Sequence, residues 1–226
     1  MGFLIRLYLI AAAAALVFAY FRYAPDNYDI TAPVNIAERP TVVTMLKLGG
    51  ISDKECFAAI ARAGIQFTRL PDEVFGTGCH FDGAATLDQS LISWGGGVTL
   101  ACPMLARLLL WERHALIPAA ATHLKSPVAR IEHFGTYSCR NIGNAATEPR
   151  SEHASANAID IGAFRLEDGR RISVLDHYGK DGPEAAFLDE IFDEGCFLFQ
   201  AALGPNYNAS HRNHFHFDNG PFKMCR

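Results

Sequence analysis

The chain has 226 residues and a formal net charge of −4, and half of its residues are hydrophobic. This length fits one globular domain with an N-terminal extension, and the hydrophobic content is sufficient for a packed core. The mild negative charge provides no basic field that would favour nucleic acid, so nucleic acid is excluded as an expected partner.

Residues 1–21 form an apolar leader that carries Arg6 near its start. Such a segment is typical of a secretory signal or a short membrane anchor, and the apolar run falls short of the about 20 residues that cross a bilayer. Large residues precede Arg22 where a cleavable signal has small ones, which favours an uncleaved anchor in the inner membrane. A cleaved signal is the alternative. Either way, the remainder is expected in the periplasm.

Residues 22–40 are rich in proline and polar residues and show no periodicity, which predicts a linker before a domain at residues 41–226. The six cysteines of that domain are Cys56, Cys79, Cys102, Cys139, Cys196 and Cys225. An even number of cysteines in an exported chain favours three disulfides. The sequence leaves their connectivity open, with a preference for Cys56 and Cys79 because they flank a predicted helix-to-strand unit.

In the first half of the domain, Ser52 and Glu55 form a capping box, and Gly64 follows as a stop signal. They predict a short helix. Strands are predicted over residues 65–70 and 98–101, with glycine-rich turns between them.

Two longer helices are predicted, Pro103–Leu116 and Pro183–Glu194, the second ended by Gly195. Val128–Phe134 alternates as a half-buried strand does, and residues 167–170 carry a hairpin turn signal. Helices and antiparallel hairpins in this order predict an α+β fold, with a small antiparallel sheet flanked by helices.

Two histidine-containing stretches carry the candidate chemistry, residues 151–160 and residues 211–218. A catalytic zinc site takes three protein ligands, mostly imidazole nitrogens and carboxylate oxygens, and leaves one position open. His153, Asp160 and one of His214 or His216 supply such a set.

The second stretch alternates between polar and apolar residues. On a strand, His214, His216 and Asp218 share one face, while Phe215 and Phe217 point into the core. Two imidazoles are then directed at one place, and Asp218 is a candidate to orient one of them.

The pattern Ser151-x-His153-(x)6-Asp160 followed by His214-x-His216 resembles the signature of the hedgehog/D-Ala-D-Ala metallopeptidase fold. These are zinc enzymes that cut peptidoglycan peptides. The resemblance implies the same α+β fold for this chain, stabilised by disulfides.

A closer resemblance covers nearly all of the chain after its leader, from about Gly49 to Arg226. This stretch, with Tyr137-Ser138-Cys139-Arg140, Leu203-Gly204-Pro205 and the His-Phe-His-Phe-Asp segment near its end, resembles the bacterial extensin-like protein C-terminal domain family. That family is placed near the metallopeptidases.

The metallopeptidase resemblance implies a role for each matched residue. His153, Asp160 and His216 match the three Zn²⁺ ligands, and His214 matches a histidine beside the metal-bound water. Arg140 matches an arginine that faces the carbonyl or carboxylate of the substrate.

The chain departs from the metallopeptidase pattern at two positions, and His211 matches only an accessory histidine. Ala156 stands where the peptidases usually have glycine, and Asn213 stands where some have a glutamate as general base. His214 or Glu152 is then left as the candidate base.

The expected function is that of a zinc-dependent peptidase, a carboxypeptidase or endopeptidase that acts on peptidoglycan peptides in the cell envelope. The alternative is a non-catalytic module that keeps the fold and binds peptidoglycan or a protein. The chain lacks the proline-rich repeats that a structural, plant-type extensin requires.

Overall fold

The computed structural model describes Ala12, residues 31–147 and residues 149–226. Apart from Ala12, the predicted leader lies outside the described residues, as does the first half of the predicted linker. Among the described helices, none is both long and apolar enough to cross a bilayer.

The second half of the predicted linker packs against the domain. Residues 31–40 contain no helix or strand, but Val34 and Ile36 are buried in the core. The guanidinium of Arg62 donates a hydrogen bond to the carbonyl of Val34 (3.1 Å), and His114 Nε2 bonds to that of Ile36 (3.0 Å). Residues 31–40 are therefore packed on the domain and do not form a linker that is separate from it.

The α-helices of residues 31–226 occur in three regions, at 42–62, 102–119 and 174–198. They are α1 (Val42–Leu48), α2 (Asp53–Arg62), α3 (Cys102–Trp111), α4 (Ile117–Ala119), α5 (Val174–His177) and α6 (Pro183–Leu198).

The strands are short, and most belong to one sheet. They are β1 (Gln66–Arg69), β2 (Glu73–Gly76), β3 (Cys79–Phe81), β4 (Ala84–Gln89), β5 (Ser93–Trp94), β6 (Val98–Ala101), β7 (Val128–Gly135), β8 (Ala158–Leu166), β9 (Arg171–Ser173), β10 (Ala201–Leu203), β11 (Phe215–Asp218) and β12 (Met224–Cys225).

The largest sheet has seven strands in the order β12-β10-β11-β8-β7-β5, with β9 also paired to β8. Its central pairs are antiparallel, while β10 with β12 and β5 with β7 are parallel. A three-stranded antiparallel sheet β1-β4-β6 and the hairpin β2-β3 complete the fold. The predicted α+β class with antiparallel sheets is confirmed.

Helices α3 and α6 cover one face of the large sheet. Trp111 on α3 contacts Phe164 and Phe217 of the sheet, with ring centroids 6.3 and 5.6 Å apart, and its indole N–H donates to the carbonyl of Ile191 on α6. Phe187 on α6 packs edge-on against Phe164 (5.2 Å). We call this the core face of the sheet.

The capping box at Ser52 and Glu55 is confirmed, and α2 ends just before Gly64, which has the left-handed φ of +76°. The predicted stop at Gly195 is wrong, because α6 continues to Leu198. A Cβ at Gly195 would lie 2.6 Å from the ring of Phe217. This glycine therefore permits close packing of the helix on the sheet rather than ending the helix.

The helix predicted over Pro103–Leu116 is longer than expected. After α3 the chain continues through a π-helical turn at Glu112–Leu116, then α4, then a second π-helical turn at Ala120–Leu124. Glu112 is fully buried and accepts hydrogen bonds from Ser90, Leu91 and Trp94. This carboxylate therefore fastens the β5 segment to the helix.

The six cysteines form three disulfides, as predicted, but the preferred pair of Cys56 with Cys79 is wrong. The bridges are Cys56–Cys102, Cys79–Cys139 and Cys196–Cys225. Cys56 lies on α2, which packs against the start of α3, whereas Cys79 lies on the β2-β3 hairpin. Local sequence spacing does not predict these long-range contacts.

Candidate metal centre and its surroundings

The pairing of β8 with β11 brings two distant segments together. Asp160 lies directly opposite His216 in this antiparallel pair. Directly opposed residues place their side chains on the same face of a sheet. The neighbours Phe215 and Phe217 are fully buried on the core face, so Asp160 and His216 project from the other face. We call this second face the site face.

His153 reaches the same place from the 3₁₀ turn Glu152–Ser155, which precedes β8. Ser151 caps this turn by accepting a hydrogen bond from the backbone N–H of His153. Ala156 ends it with φ 52° and ψ 33°, the left-handed conformation that glycine adopts most easily. Ala156 therefore occupies a backbone conformation that glycine adopts more easily than alanine does.

The three side chains form a compact group, which we call the ligand cluster. His153 Nε2 lies 3.2 Å from Asp160 Oδ2, and His216 Nδ1 lies 2.8 Å from Asp160 Oδ1. The two imidazole nitrogens are 3.3 Å apart. One ligand atom from each residue lies within 4.8 Å of the others, which is the only such group of His, Cys, Asp and Glu in the described part of the chain.

Each imidazole of the cluster uses its second ring nitrogen for a protein partner. Nδ1 of His153 donates to the carbonyl of Thr136 (3.2 Å), and Nε2 of His216 bonds to Asp218 Oδ2 (3.0 Å). Asp218 is itself fixed by the backbone N–H of Gly220 (2.8 Å). Partners of this kind orient the histidine ligands of metal sites and fix their tautomers.

Hydrogen bonds in the cluster stabilise a protonated His216 beside an ionised Asp160. Burial opposes a proton on His216, but hydrogen bonds to Asp160 and Asp218 outweigh it and raise the pKa of His216 to about 9. Burial alone would raise the pKa of Asp160, yet hydrogen bonds from His153 and His216 hold it well below the usual range. Asp160 and His216 therefore form a largely buried ion pair.

Two further histidines lie beside the cluster. His214 Nε2 is 3.5 Å from Asp160 Oδ1, and the ring of His211 lies 5.2 Å from that of His214. Burial is the largest cause that lowers the pKa of both, and the pKa of His211 falls to about 4. Both imidazoles are therefore neutral at neutral pH.

Arg140 lies in the segment that follows β7. Its positive charge contributes to the lowered pKa of both His211 and His214, which places it near their side of the cluster. The disulfide between Cys79 and Cys139, one residue before Arg140, links this segment to the β2-β3 hairpin.

Glu152, the other candidate base, has a carboxylate that contacts residues other than the three of the cluster. Its Oε2 accepts a hydrogen bond from the side chain of Asn157 (2.6 Å), and its Oε1 lies close to Gly220. The observed partners of Glu152 thus lie outside the ligand cluster, and its role as a base stays a prediction.

Sequence reasoning missed Phe134, an exposed aromatic residue at the edge of the site. Its ring packs edge-on against His214 with centroids 5.7 Å apart, and a Cβ at Gly162 would lie 2.6 Å from it. The side chain remains 60% exposed. A glycine two residues after Asp160 was the available signal, since a ring can lie over a strand only where a side chain is missing.

The fold and this site define an α+β domain with three disulfides and a His-Asp-His cluster beside the antiparallel pair of β8 and β11. The chain matches the family described as extensin-like protein C-terminus over residues 54–226, and it belongs to that family. No curated protein and no solved structure matches the chain significantly.

Proposed function

We propose that this domain is a zinc-dependent peptidase of the hedgehog/D-Ala-D-Ala type that acts on peptidoglycan peptides in the periplasm, held at the inner membrane by its N-terminal segment. The observation that carries the proposal is the convergence of His153, Asp160 and His216, each imidazole oriented by a second hydrogen bond.

The donor set fits zinc. Two imidazole nitrogens and one carboxylate oxygen are ligands that Zn²⁺ prefers, and three protein ligands leave a fourth position for water or substrate. The Asp160 side chain remains 14% exposed, so the cluster is reachable from solvent. When bound, zinc supplies Lewis acidity that polarises a carbonyl and acidifies water.

His214 is suited to act as the general base. Its Nδ1 lies 3.0 Å from the side-chain oxygen of Asn213, to which it donates a hydrogen bond. This tautomer leaves Nε2 without a proton, and Nε2 is the atom that faces Asp160. The lowered pKa keeps the imidazole neutral, so Nε2 can accept a proton and return it to the leaving amine.

Arg140 supplies a permanent positive charge beside the histidines. A planar guanidinium donates two parallel hydrogen bonds to a carboxylate or a strong one to a carbonyl oxygen. Arg140 therefore binds the carboxylate of the peptide or the oxygen that becomes negative during attack.

A non-catalytic binding module is the second candidate. Two observations favour it: Asn213 stands where some related peptidases have a glutamate, and the carboxylate of Glu152 is engaged by Asn157. Such a module would use Arg140 and the ligand cluster to bind peptidoglycan or a protein without cleaving it.

Metal content tests the basis of both candidates. We expect the purified protein to hold one zinc per chain by elemental analysis, and His216→Ala to lose it because two ligands do not hold zinc tightly. His123→Ala is the matched control, since His123 pairs with Glu190 on the surface of the helical layer. Zinc well below one equivalent and unchanged by His216→Ala would remove the proposal.

Incubation with muropeptides separates the enzyme from the binding module. We expect new product masses from the zinc-loaded protein, and His214→Ala to lower the rate by about 10²- to 10⁴-fold, the usual contribution of a general base. Zinc content should stay at the wild-type level in this variant, because His214 is not a ligand. Fragments retarded on the immobilised protein with unchanged masses would support the binding module.

A further inference from the structure

Three arginines stand side by side on neighbouring strands of the large sheet. Arg130 pairs with Arg165 across β7 and β8, and Arg165 pairs with Arg171 across β8 and β9. The adjacent pair, Ile131 and Phe164, is fully buried on the core face. Phe164 contacts Trp111 and Phe187 on the core face, and successive residues of a strand point to opposite faces, so these arginines, which we call the arginine row, lie on the other face. A register shift between Ile161 and Ala163 inserts one extra residue into β8, which places Arg165 on the same site face as Asp160 although five residues separate them.

The arginine row carries more positive charge than its neighbours neutralise. Glu132 accepts hydrogen bonds from both Arg165 and Arg171, while Arg130 donates only to the carbonyl of Gly95 among its identified contacts. After the hydrogen bond from Ser173, the charge of Arg171 also helps to lower the pKa of Asp176, so three guanidinium groups face two carboxylates and one positive charge remains. The side chains of Arg165 and Arg171 are 54% and 43% exposed, and Arg130, Glu132 and Arg165 line a pocket of about 340 Å³.

The arginine row and the ligand cluster belong to the same strand. Asp160 and Arg165 are five residues apart on β8, which corresponds to about 16 Å at 3.3 Å per residue. Phe134 lies between them, with its ring over Gly162 and its edge against His214. The site face thus offers a metal-binding group, an exposed aromatic ring and a basic patch in succession.

We propose that the arginine row binds a carboxylate of the substrate peptide, carried about four to five residues from the bond that reacts at the ligand cluster. This inference rests on the proposed function and names its substrate class, an acidic peptide that lies extended over Phe134. Charge complementarity selects the acidic peptide, because an excess of exposed guanidinium groups favours carboxylates and disfavours cationic or neutral chains.

Two synthetic peptides test this inference. Both end in D-Ala-D-Ala; one carries a glutamate about five residues before that end, and the other carries glutamine there. Binding is measured by fluorescence anisotropy of the labelled peptides, and product masses are recorded from the same samples. We expect the glutamate peptide to bind about two- to five-fold tighter, the upper part of the range for an exposed ion pair, and the difference to vanish at high salt.

The variants Arg130→Gln and Arg165→Gln should each reduce this preference, and the double variant should abolish it. Arg39→Gln is the matched control, because Arg39 is exposed and pairs with Glu194 on α6. Arg130→Gln alone keeps the test valid if the double variant unfolds, since Arg130 makes no ion pair with Glu132 among the identified contacts. Equal affinities of the wild-type protein for both peptides, or a preference that survives in the folded double variant, would overturn the inference.

The two proposals fail separately. Tighter binding of the glutamate peptide without any new product mass would contradict the peptidase proposal and support the arginine row as a binding surface. Cleavage of both peptides with equal affinity would retain the peptidase and reject the role of the arginine row.

Discussion

The two faces of strand β11 are both buried, yet they are built on different physical principles. On the core face, Phe217 stacks on Phe199 with ring centroids 4.6 Å apart and contacts Trp111. On the site face, the adjacent His216 is 8% exposed and hydrogen-bonded to Asp160 and Asp218. Apolar packing needs only volume and shape, whereas a buried imidazole needs a partner for each ring nitrogen.

This difference separates stability from function along one strand. The core face should contribute most of the free energy of unfolding through burial of aromatic surface. The site face should contribute mainly affinity for a metal ion, because its partners orient ligands rather than exclude water. Substitutions one residue apart on β11 should therefore have different effects.

The largest expected effect is that of Phe217→Ala on the core face. Loss of a fully buried phenylalanine should lower the free energy of unfolding by about 3–5 kcal/mol, because a cavity remains between the sheet and α6. Urea denaturation of the protein with its disulfides intact measures this change. Phe222→Ala is the control, since Phe222 is 76% exposed and its removal should cost less than about 0.5 kcal/mol. Similar costs for both variants would contradict the assignment of the core face.

A smaller effect, of a different kind, is expected for Asp218→Asn on the site face. The amide cannot hold His216 as the carboxylate does, so the affinity for zinc should fall by about 10- to 100-fold while the fold is retained. Competition with a zinc chelator measures the affinity. Asp189→Asn, an exposed change on α6, should leave it unaltered. Unchanged affinity in Asp218→Asn would mean that the contact with His216 does not orient a ligand.

The smallest effect concerns the turn that delivers His153 to the site face. Ala154 and Ala156 are both fully buried, but only Ala156 has a left-handed backbone. Glycine relieves about 1–2 kcal/mol of strain there, which offsets its own entropic cost and the lost methyl group. We therefore expect Ala154→Gly to destabilise the protein by about 1 kcal/mol more than Ala156→Gly in thermal unfolding. The reverse order would show that the left-handed turn carries no strain.

Local patterns in the sequence predicted much of this fold. The capping box at Ser52 gives α2, the hairpin signal at 167–170 joins β8 to β9, and the alternation around His216 places Phe215 and Phe217 in the core. Each of these features depends on residues close together in the chain, so a short window of sequence is sufficient.

The predictions that were wrong concern features that depend on contacts between residues far apart in the chain. The end of α6 could not be predicted from local sequence. Gly195 provides room for the ring of Phe217 on β11 and does not end the helix. The pairing of Cys79 with Cys139 depends on how the β2-β3 hairpin packs.

The same limit applies to the site. The residue types His153, Asp160 and His216 could be chosen from the sequence, but their register across β8 and β11 could not. Nothing in the sequence marks the carbonyl of Thr136 as the partner of His153, because any residue supplies a carbonyl. Phe134 was overlooked because one exposed aromatic residue has no pattern of its own.

The disulfide between Cys79 and Cys139 affects how firmly the segment that carries Arg140 is held. It ties the hairpin β2-β3, which pairs with neither larger sheet, to the residue just before Arg140. Thiol reduction releases that tie and leaves His153, Asp160 and His216 on their own elements. Arg140 would then lose a covalent constraint on its position beside His211 and His214, so the redox state of this one cysteine pair should determine how firmly the guanidinium is held.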